Sequence, residues 1–237
     1  RKGGLSHIHG ADLGAHVIKA LVERNEIPDH EYDDVIFGCV DTIGPLAGDI
    51  ARTSWLAAGL SQDVPGTTID RQCGSSQQSV HFAAQAIMSG TMDVIIAGGV
   101  QTMTQIPISS SMIAAKPMGF SDPFSGSTGW VQRYGSEPPT QFKSAQMIAD
   151  KWGFSREELE IYSLESHRRA LQAIKNGFFD KEIIPCGSVI HDETPRESTL
   201  EKMASLDELF DCDKVTAAVS SQTADASSAM LLVSEAA

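Results

Sequence analysis

The stretch TTIDRQCGSSQQSVHFAAQAIMSGTMDVIIAGG, residues 67–99, reads as strand, turn, helix, strand. Thr67, Thr68 and Ile69 are β-branched and suit a pleated strand leading into Asp70. From Cys73 onward Val80, Ala83, Ala84, Ile87 and Met88 recur at helical spacing, and Gly90 supplies the stop. Val94, Ile95, Ile96 and Ala97 then form an apolar strand that runs into Gly98 and Gly99. A strand, a crossing helix and a second strand in this order are the unit of an α/β sheet with covering helices.

The same alternation extends upstream. Leu13, Val17, Ala20 and Leu21 share one helical face, and that helix ends near Arg24, ahead of Asn25 and Pro28. Residues 35–40, VIFGCV, form a continuous apolar run expected of a strand covered on both faces. A helix around residues 50–58 stops at Gly59. Downstream the pattern breaks at about Thr102. Residues 102–140 are rich in Ser, Pro, Gly and Met and hold no sustained period. Helical spacing returns through Met147, Ile148 and Trp152, and Ser155 with Glu158 forms a capping box that opens a helix closing at Gly177. The final SSAMLLVSEAA reads as one more core strand. Residues 1–101 and 214–237 are therefore expected to build the sheet domain, with 102–213 as an insertion.

Composition limits the function. The chain has 237 residues, 41% of them hydrophobic, enough to bury a core. Its 18 basic and 31 acidic residues give a net charge of −13, a surface that repels nucleic acid and anionic membranes. No apolar run reaches the roughly 18 residues of a spanning helix, and no signal-like segment opens the chain, so a cytoplasmic location is expected. Cys39, Cys73, Cys186 and Cys212 are widely spaced, with no C-x-x-C pair or His cluster, which argues against a zinc site or a disulfide framework.

Cys73 stands where a strand ends and a helix begins. A helix N-terminus carries about half a positive charge and unpaired N–H groups, which favour a thiolate and can receive an oxyanion. Gly74, Ser75 and Ser76 keep the first turn small, so that a substrate carbonyl can reach the sulfur. The other reading of Cys73 is a small buried hydrophobe. Cys39 in its apolar strand reads as core. Cys186 and Cys212 read as bystanders in the insertion. Met103, Met112 and Met118 either line an acyl channel or pack the insertion, and Arg52 reads as a structural or interface ion pair. His7, His9, His16, His30, His81, His167 and His191 read as solvated or structural rather than catalytic.

Residues 67–107, from TTIDRQCGSSQQ to the GG-ended strand and QIP, resemble the thiolase signature around its acylated cysteine. The resemblance extends through VIFGCVDTIG, GDIARTSWLAAGL, SREELEIYSLESHRRALQAIKNGFFDKEIIP and VTAAVSSQTADASSAMLLVSEAA, covering essentially the whole chain. DRQCGSSQQ and IPISSSM look most like actinobacterial thiolases of steroid and fatty-acid breakdown. What the resemblance implies is a thiolase-like N-terminal domain, a mixed sheet between helices, with an inserted helical loop domain that holds coenzyme A. It implies cleavage of a 3-ketoacyl-CoA by CoA, or the reverse condensation, through an acyl-cysteine at Cys73. Ser221 matches the serine that meets the pantetheine arm, and Gln141 and Phe142, with Thr140, replace a His-Met-Gly stretch and imply a differently shaped acyl pocket. CoA is then a substrate, no metal or other cofactor is implied, and a homodimer or homotetramer is expected.

Four departures accompany the resemblance. Asp225-Ala226-Ser227 stands where the family has Asp-Gly-Ala, which matters if the backbone there needs a positive φ. Asp207 replaces a basic residue that helps hold the CoA nucleotide, leaving Arg168, Arg169 or Lys202 as substitutes. Family members also continue into a duplicated second half with an Asn, a Gly-His-Pro histidine and a Cys-x-Gly cysteine, none matched here. The chain also starts after the position of the family's first strand. It reads as part of a longer chain and is expected to be weak or inactive alone. Two further readings stand beside a thiolase: a CoA-binding or assembly fragment without catalysis, and a ketoacyl-synthase-type condensing enzyme, which the long insertion disfavours.

Overall fold

The computed structural model describes residues 3–237. The chain forms two compact units. The first takes in the chain up to Gly119 together with Cys186–Ser188 and Thr223–Ala237; the second takes in Phe120–Pro185 and Val189–Gln222.

The first unit is built as the alternation predicts. Helix α1 (Gly10–Glu23) starts at His9, whose Nδ1 accepts the Ala11 N–H, and it buries Leu13 and Ile18. Strand β1 (Asp34–Gly38) is buried at every position. Helix α2 (Ile50–Ala57) buries Ile50, Ala51 and Trp55, and Gly59 beyond its end takes a φ of 80°. Strand β2 (Gly66–Ile69), helix α3 (Ser75–Met88) and strand β3 (Val94–Thr102) follow, then the short helix α4 (Ser110–Ile113). Buried Asp41 receives the N–H groups of Ser109 and Ser111 and the Ser111 hydroxyl, which fixes the head of α4.

The sheet order is β2-β1-β3-β6, where β6 is Asp225–Val233. β1 pairs in parallel with both β2 and β3, while β6 runs antiparallel to β3, so the sheet is mixed. Its two faces carry separate apolar clusters. One joins Leu13, Ile18, Phe37, Leu46, Trp55 and Ile96 beneath α1 and α2; the other joins Ile36, Ala83, Ile95 and Ala97 beneath α3. Phe37, Trp55 and Ile18 have no exposure, and each such side chain contributes about 1.5–3 kcal/mol on leaving water.

The second unit contains α5 (Thr128–Tyr134), α6 (Gln141–Trp152), α7 (Arg156–Lys175), α8 (Leu200–Ala204) and a hairpin of β4 (Glu208–Leu209) with β5 (Cys212–Thr216). The Ser155–Glu158 capping box is present in both directions, with the Glu158 N–H donating to Ser155 Oγ and the Ser155 N–H to Glu158 Oε2. Arg156 pairs with buried Glu160 at 2.8 Å and donates to the carbonyls of Met203, Ala204 and Leu206, tying α7 to the end of α8. The Pro- and Gly-rich stretch gains order from local hydrogen bonds. Asp122 accepts the Ser125 hydroxyl and the N–H groups of Ser125 and Phe124, contacts that hold its carboxyl well below the usual range.

Four residues singled out in the sequence take the following places. The Arg52 guanidinium donates to the carbonyls of Gln62 and Val64, which the bend after α2 turns toward it, so within its own unit its contacts are structural and made to backbone. Cys186 belongs to the first unit, where it packs against the apolar cluster, and Cys212 is buried in β5. Ala226 lies within β6 opposite Gln101, and its φ is not positive, so the absent glycine brings no strain.

Candidate active site

The site begins where the parallel strands end. β1 closes at Gly38, whose neighbours in register are Ile69 of β2 and Gly99 of β3. Beyond Ile69 the chain makes a tight turn over residues 70–74 and enters α3. A Cβ at Gly38 would overlap the peptide joining Ser75 to Ser76, and one at Gly99 would overlap the Ser76 side chain. These two glycines are the flat seat on which the first turn of α3 rests. The sequence places the helix from Cys73 onward. In the structure α3 starts at Ser75 with Gly74 as its cap, so Cys73 sits just ahead of the cap and its side chain is exposed. The buried-hydrophobe reading of Cys73 is therefore set aside.

Gly74 brings no side chain to the helix end, and no other side chain caps it. The positive end of α3 therefore lies beside Cys73 without a side chain over it. The turn itself is hydrogen-bonded throughout. Asp70 Oδ1 accepts the Gln72 N–H at 2.8 Å, the Arg71 carbonyl accepts the Gly74 N–H at 3.1 Å, and the Gln72 carbonyl accepts the Ser75 N–H at 3.0 Å. Gln72 has a φ of 49°, in the left-handed region.

The second thiol near the strand ends is of another kind. Cys39 is 2% exposed, and burial, reinforced by the charges of Asp41 and Asp70, pushes its thiol up to about 12. It stays protonated and donates toward Gln101 Oε1, which also accepts the Val40 N–H at 3.0 Å. The first unit thus holds an exposed thiol at a helix head and an inert one in its core. Of the histidines, His9 caps α1, His167 accepts the Arg196 N–H, and His81 lies exposed on α3 eight residues after Cys73. Among the described residues no group of three or more His, Cys, Asp or Glu is arranged to hold a metal ion, and no helix is long and apolar enough to cross a membrane.

The remaining sequence candidates fall in the second unit. Gln141 and Phe142 open α6, whose N-cap Thr140 accepts the Lys143 N–H. The Phe142 ring lies 4.3 Å from that of Phe210 at an interplanar angle of 31°. Phe210 and Asp211 form the tip of the β4–β5 hairpin, both with positive φ. Ser221 is exposed, just beyond Ser220, whose hydroxyl donates to the Thr216 carbonyl. Arg168 and Arg169 both engage Glu165. The structure thus groups Gln141 and Phe142 on one helix end and keeps Cys73 in the other unit. Sequence reasoning misses Gly38 and takes Ser75 only as a small residue; a glycine closing a buried strand and a serine in a helix's first turn are the signals that point to them.

Comparison with known proteins places this geometry in a family. The family model for thiolase, N-terminal domain, matches residues 1–236. The chain is 54% identical over 239 residues to the steroid 3-ketoacyl-CoA thiolase FadA6 of Mycobacterium tuberculosis, covering 99% of this chain and 59% of that protein. It is 36% identical to the 3-ketoacyl-CoA thiolase of Aliivibrio fischeri, covering 99% and 61%. With the 3-oxoadipyl-CoA/3-oxo-5,6-dehydrosuberyl-CoA thiolase of Escherichia coli it shares 34% identity, covering 98% and 62%. The chain spans about 60% of the length of these curated relatives.

Proposed function

We propose, from the premise that this chain belongs to the thiolase family through its N-terminal domain, that the protein moves acyl groups between a 3-ketoacyl-CoA and coenzyme A through an acyl-cysteine at Cys73. The observation that carries the proposal is an exposed thiol just ahead of an uncapped helix N-terminus, inside a match that covers the chain.

In the degradative direction the Cys73 thiolate attacks the 3-keto carbon. The Sγ–C bond forms, the C2–C3 bond breaks, and its electron pair leaves on C2 as the enolate of acetyl-CoA, which takes a proton. The thiol of a second CoA, losing its proton, then attacks the acyl-Cys73 carbonyl, and the sulfur of Cys73 departs as thiolate. Condensation runs these steps in reverse. This chain's part is to present the nucleophile and to hold the oxyanion with the backbone N–H of Cys73 and the first turn of α3; one such donor is typically worth about 10²–10³ in turnover. Ser221, Gln141 and Phe142 are the residues assigned to CoA and the acyl group, and residues 102–213 the loop domain that carries Gln141 and Phe142. CoA enters as substrate, and no resident cofactor is required. The 54% identity to a relative named for steroid substrates supports a steroid-derived 3-ketoacyl-CoA as the acyl donor. A cytoplasmic homodimer or homotetramer completes the reading.

The test is thiolysis of acetoacetyl-CoA and of a steroid-side-chain 3-ketoacyl-CoA by the full-length protein. CoA-dependent loss of the 3-keto substrate that disappears in Cys73→Ala is expected. Loss that persists in Cys73→Ala would overturn the assignment.

A further inference from the structure

We infer that Ser75 is the positioning residue of Cys73: its hydroxyl holds Gln72 in the left-handed conformation from which the thiol is presented at the head of α3. Gln72 is an L residue at φ 49°, a conformation that a Cβ resists. Something must hold it there, and the Ser75 hydroxyl bonds to the chain on both sides of it. Ser75 Oγ accepts the Arg71 N–H at 2.9 Å and donates to the Gln72 carbonyl at 2.5 Å. The clamp cannot swing away. Ser75 is 4% exposed, its Cβ lies against Gly38, and its carbonyl receives the Ser79 hydroxyl from the next turn of α3.

Ser75 therefore transmits the fixed position of the helix to the turn that precedes it. Without the hydroxyl, the Arg71 N–H loses its Ser75 partner and the Gln72 carbonyl keeps only the Ser75 N–H, so Gln72 is held less firmly against a return to negative φ. The restraints that remain are the Gln72 N–H to Asp70 Oδ1, which is exposed to competing water, and the two backbone bonds of the turn, from the Gly74 N–H to the Arg71 carbonyl and from the Ser75 N–H to the Gln72 carbonyl. Rotation at Gln72 swings the next residue, Cys73, away from the helix axis and from the N–H groups that steady a thiolate. The inference rests on the reading of Cys73 as the reacting group, yet it concerns the presentation of the thiol and is measurable without any acyl transfer.

The experiment measures the rate of Cys73 alkylation by iodoacetamide at fixed pH in the full-length protein, by peptide mass, with buried Cys39 as the internal reporter of folding. Ser75→Ala is expected to slow Cys73 about tenfold while Cys39 stays protected. Ser75→Thr, which keeps the hydroxyl, is expected to restore at least half of the wild-type rate. Gln72→Gly in the Ser75→Ala background supplies a residue that accepts φ 49° without a clamp, and is expected to return to within about twofold of wild type. A Ser75→Ala rate equal to wild type overturns the inference. Where Ser75→Ala loses Cys39 protection, the double variant decides: recovery supports the clamp, and a rate still tenfold down overturns it. Acyl transfer assayed in parallel separates the two readings. A slowed and rescued thiol with no acyl-enzyme leaves the clamp standing and removes the thiolase assignment, whereas Cys73 acylation indifferent to Ser75→Ala does the reverse.

Discussion

Replacing Gly38 by alanine tests the seat beneath α3. The added methyl would lie 2.7 Å from the Ser75 Cβ and overlap the Ser75–Ser76 peptide, whereas real Cβ atoms essentially never approach closer than 3.0 Å. The obstructing atoms are mostly backbone, held by the α3 hydrogen bonds on one side and the β1 ladder on the other, so no side-chain rotation relieves the clash. Overpacking of this kind costs about 1–3 kcal/mol, and a backbone obstacle places Gly38→Ala near 3. The lower conformational entropy of the unfolded alanine chain returns about 0.4–1 kcal/mol. A net loss of about 2 kcal/mol, with a urea dependence of about 2 kcal/mol per molar, moves the midpoint down by about 1 M. The assay is pulsed alkylation of Cys39 across a urea series, because this buried thiol reacts when the first unit opens. Gly126→Ala is the control, since a Cβ there meets nothing within 4 Å and its φ is not positive. A Gly38→Ala midpoint equal to that of the control would refute the reasoning.

Two other outcomes follow from the packing and electrostatics. Because the Cys39 thiol is raised from 9.0 to about 12, the folded chain keeps a proton that the unfolded chain releases. The stability this confers is complete below pH 9 and declines between pH 9 and 12 by about 1.4 kcal/mol per unit; alkaline urea titrations of wild type should therefore fall more steeply than those of Cys39→Ala, and parallel curves would contradict the assignment. In the second unit Arg156→Ala leaves Glu160 buried at 3% exposure without its cation and strips three carbonyls at the end of α8 of their donor. A loss of about 3–5 kcal/mol is expected, seen as fast amide exchange in α7 and α8, and unchanged exchange there would count against it.

Much of this architecture is legible in the sequence because its elements carry clean periods. The faces of α1 and α3, the apolar β1 and the Ser155 cap each follow from spacing alone, and the β-branched run ahead of Cys73 with the helical spacing behind it marks the strand-to-helix junction. What stays hidden depends on contacts between distant segments. Nothing local says that Gly38 receives the first turn of a helix that begins 37 residues later, or that β6 pairs antiparallel with β3 in the register Gly98 to Ala229. Positive φ at Gln72 and Phe210 is equally hidden, since neither is the glycine, asparagine or aspartate that announces such a turn. The Arg52 contacts escape the sequence because a charged side chain invites an ionic partner, while the bend after α2 offers carbonyls.

The most direct measurement is peptide mapping of the full-length protein after brief exposure to acetoacetyl-CoA and acid quench. The account predicts one acetyl group as a thioester on Cys73, discharged by added CoA and absent from Cys73→Ala. An acetyl thioester on Cys39, Cys186 or Cys212 instead, or thiolysis proceeding with Cys73 never acylated, would contradict it.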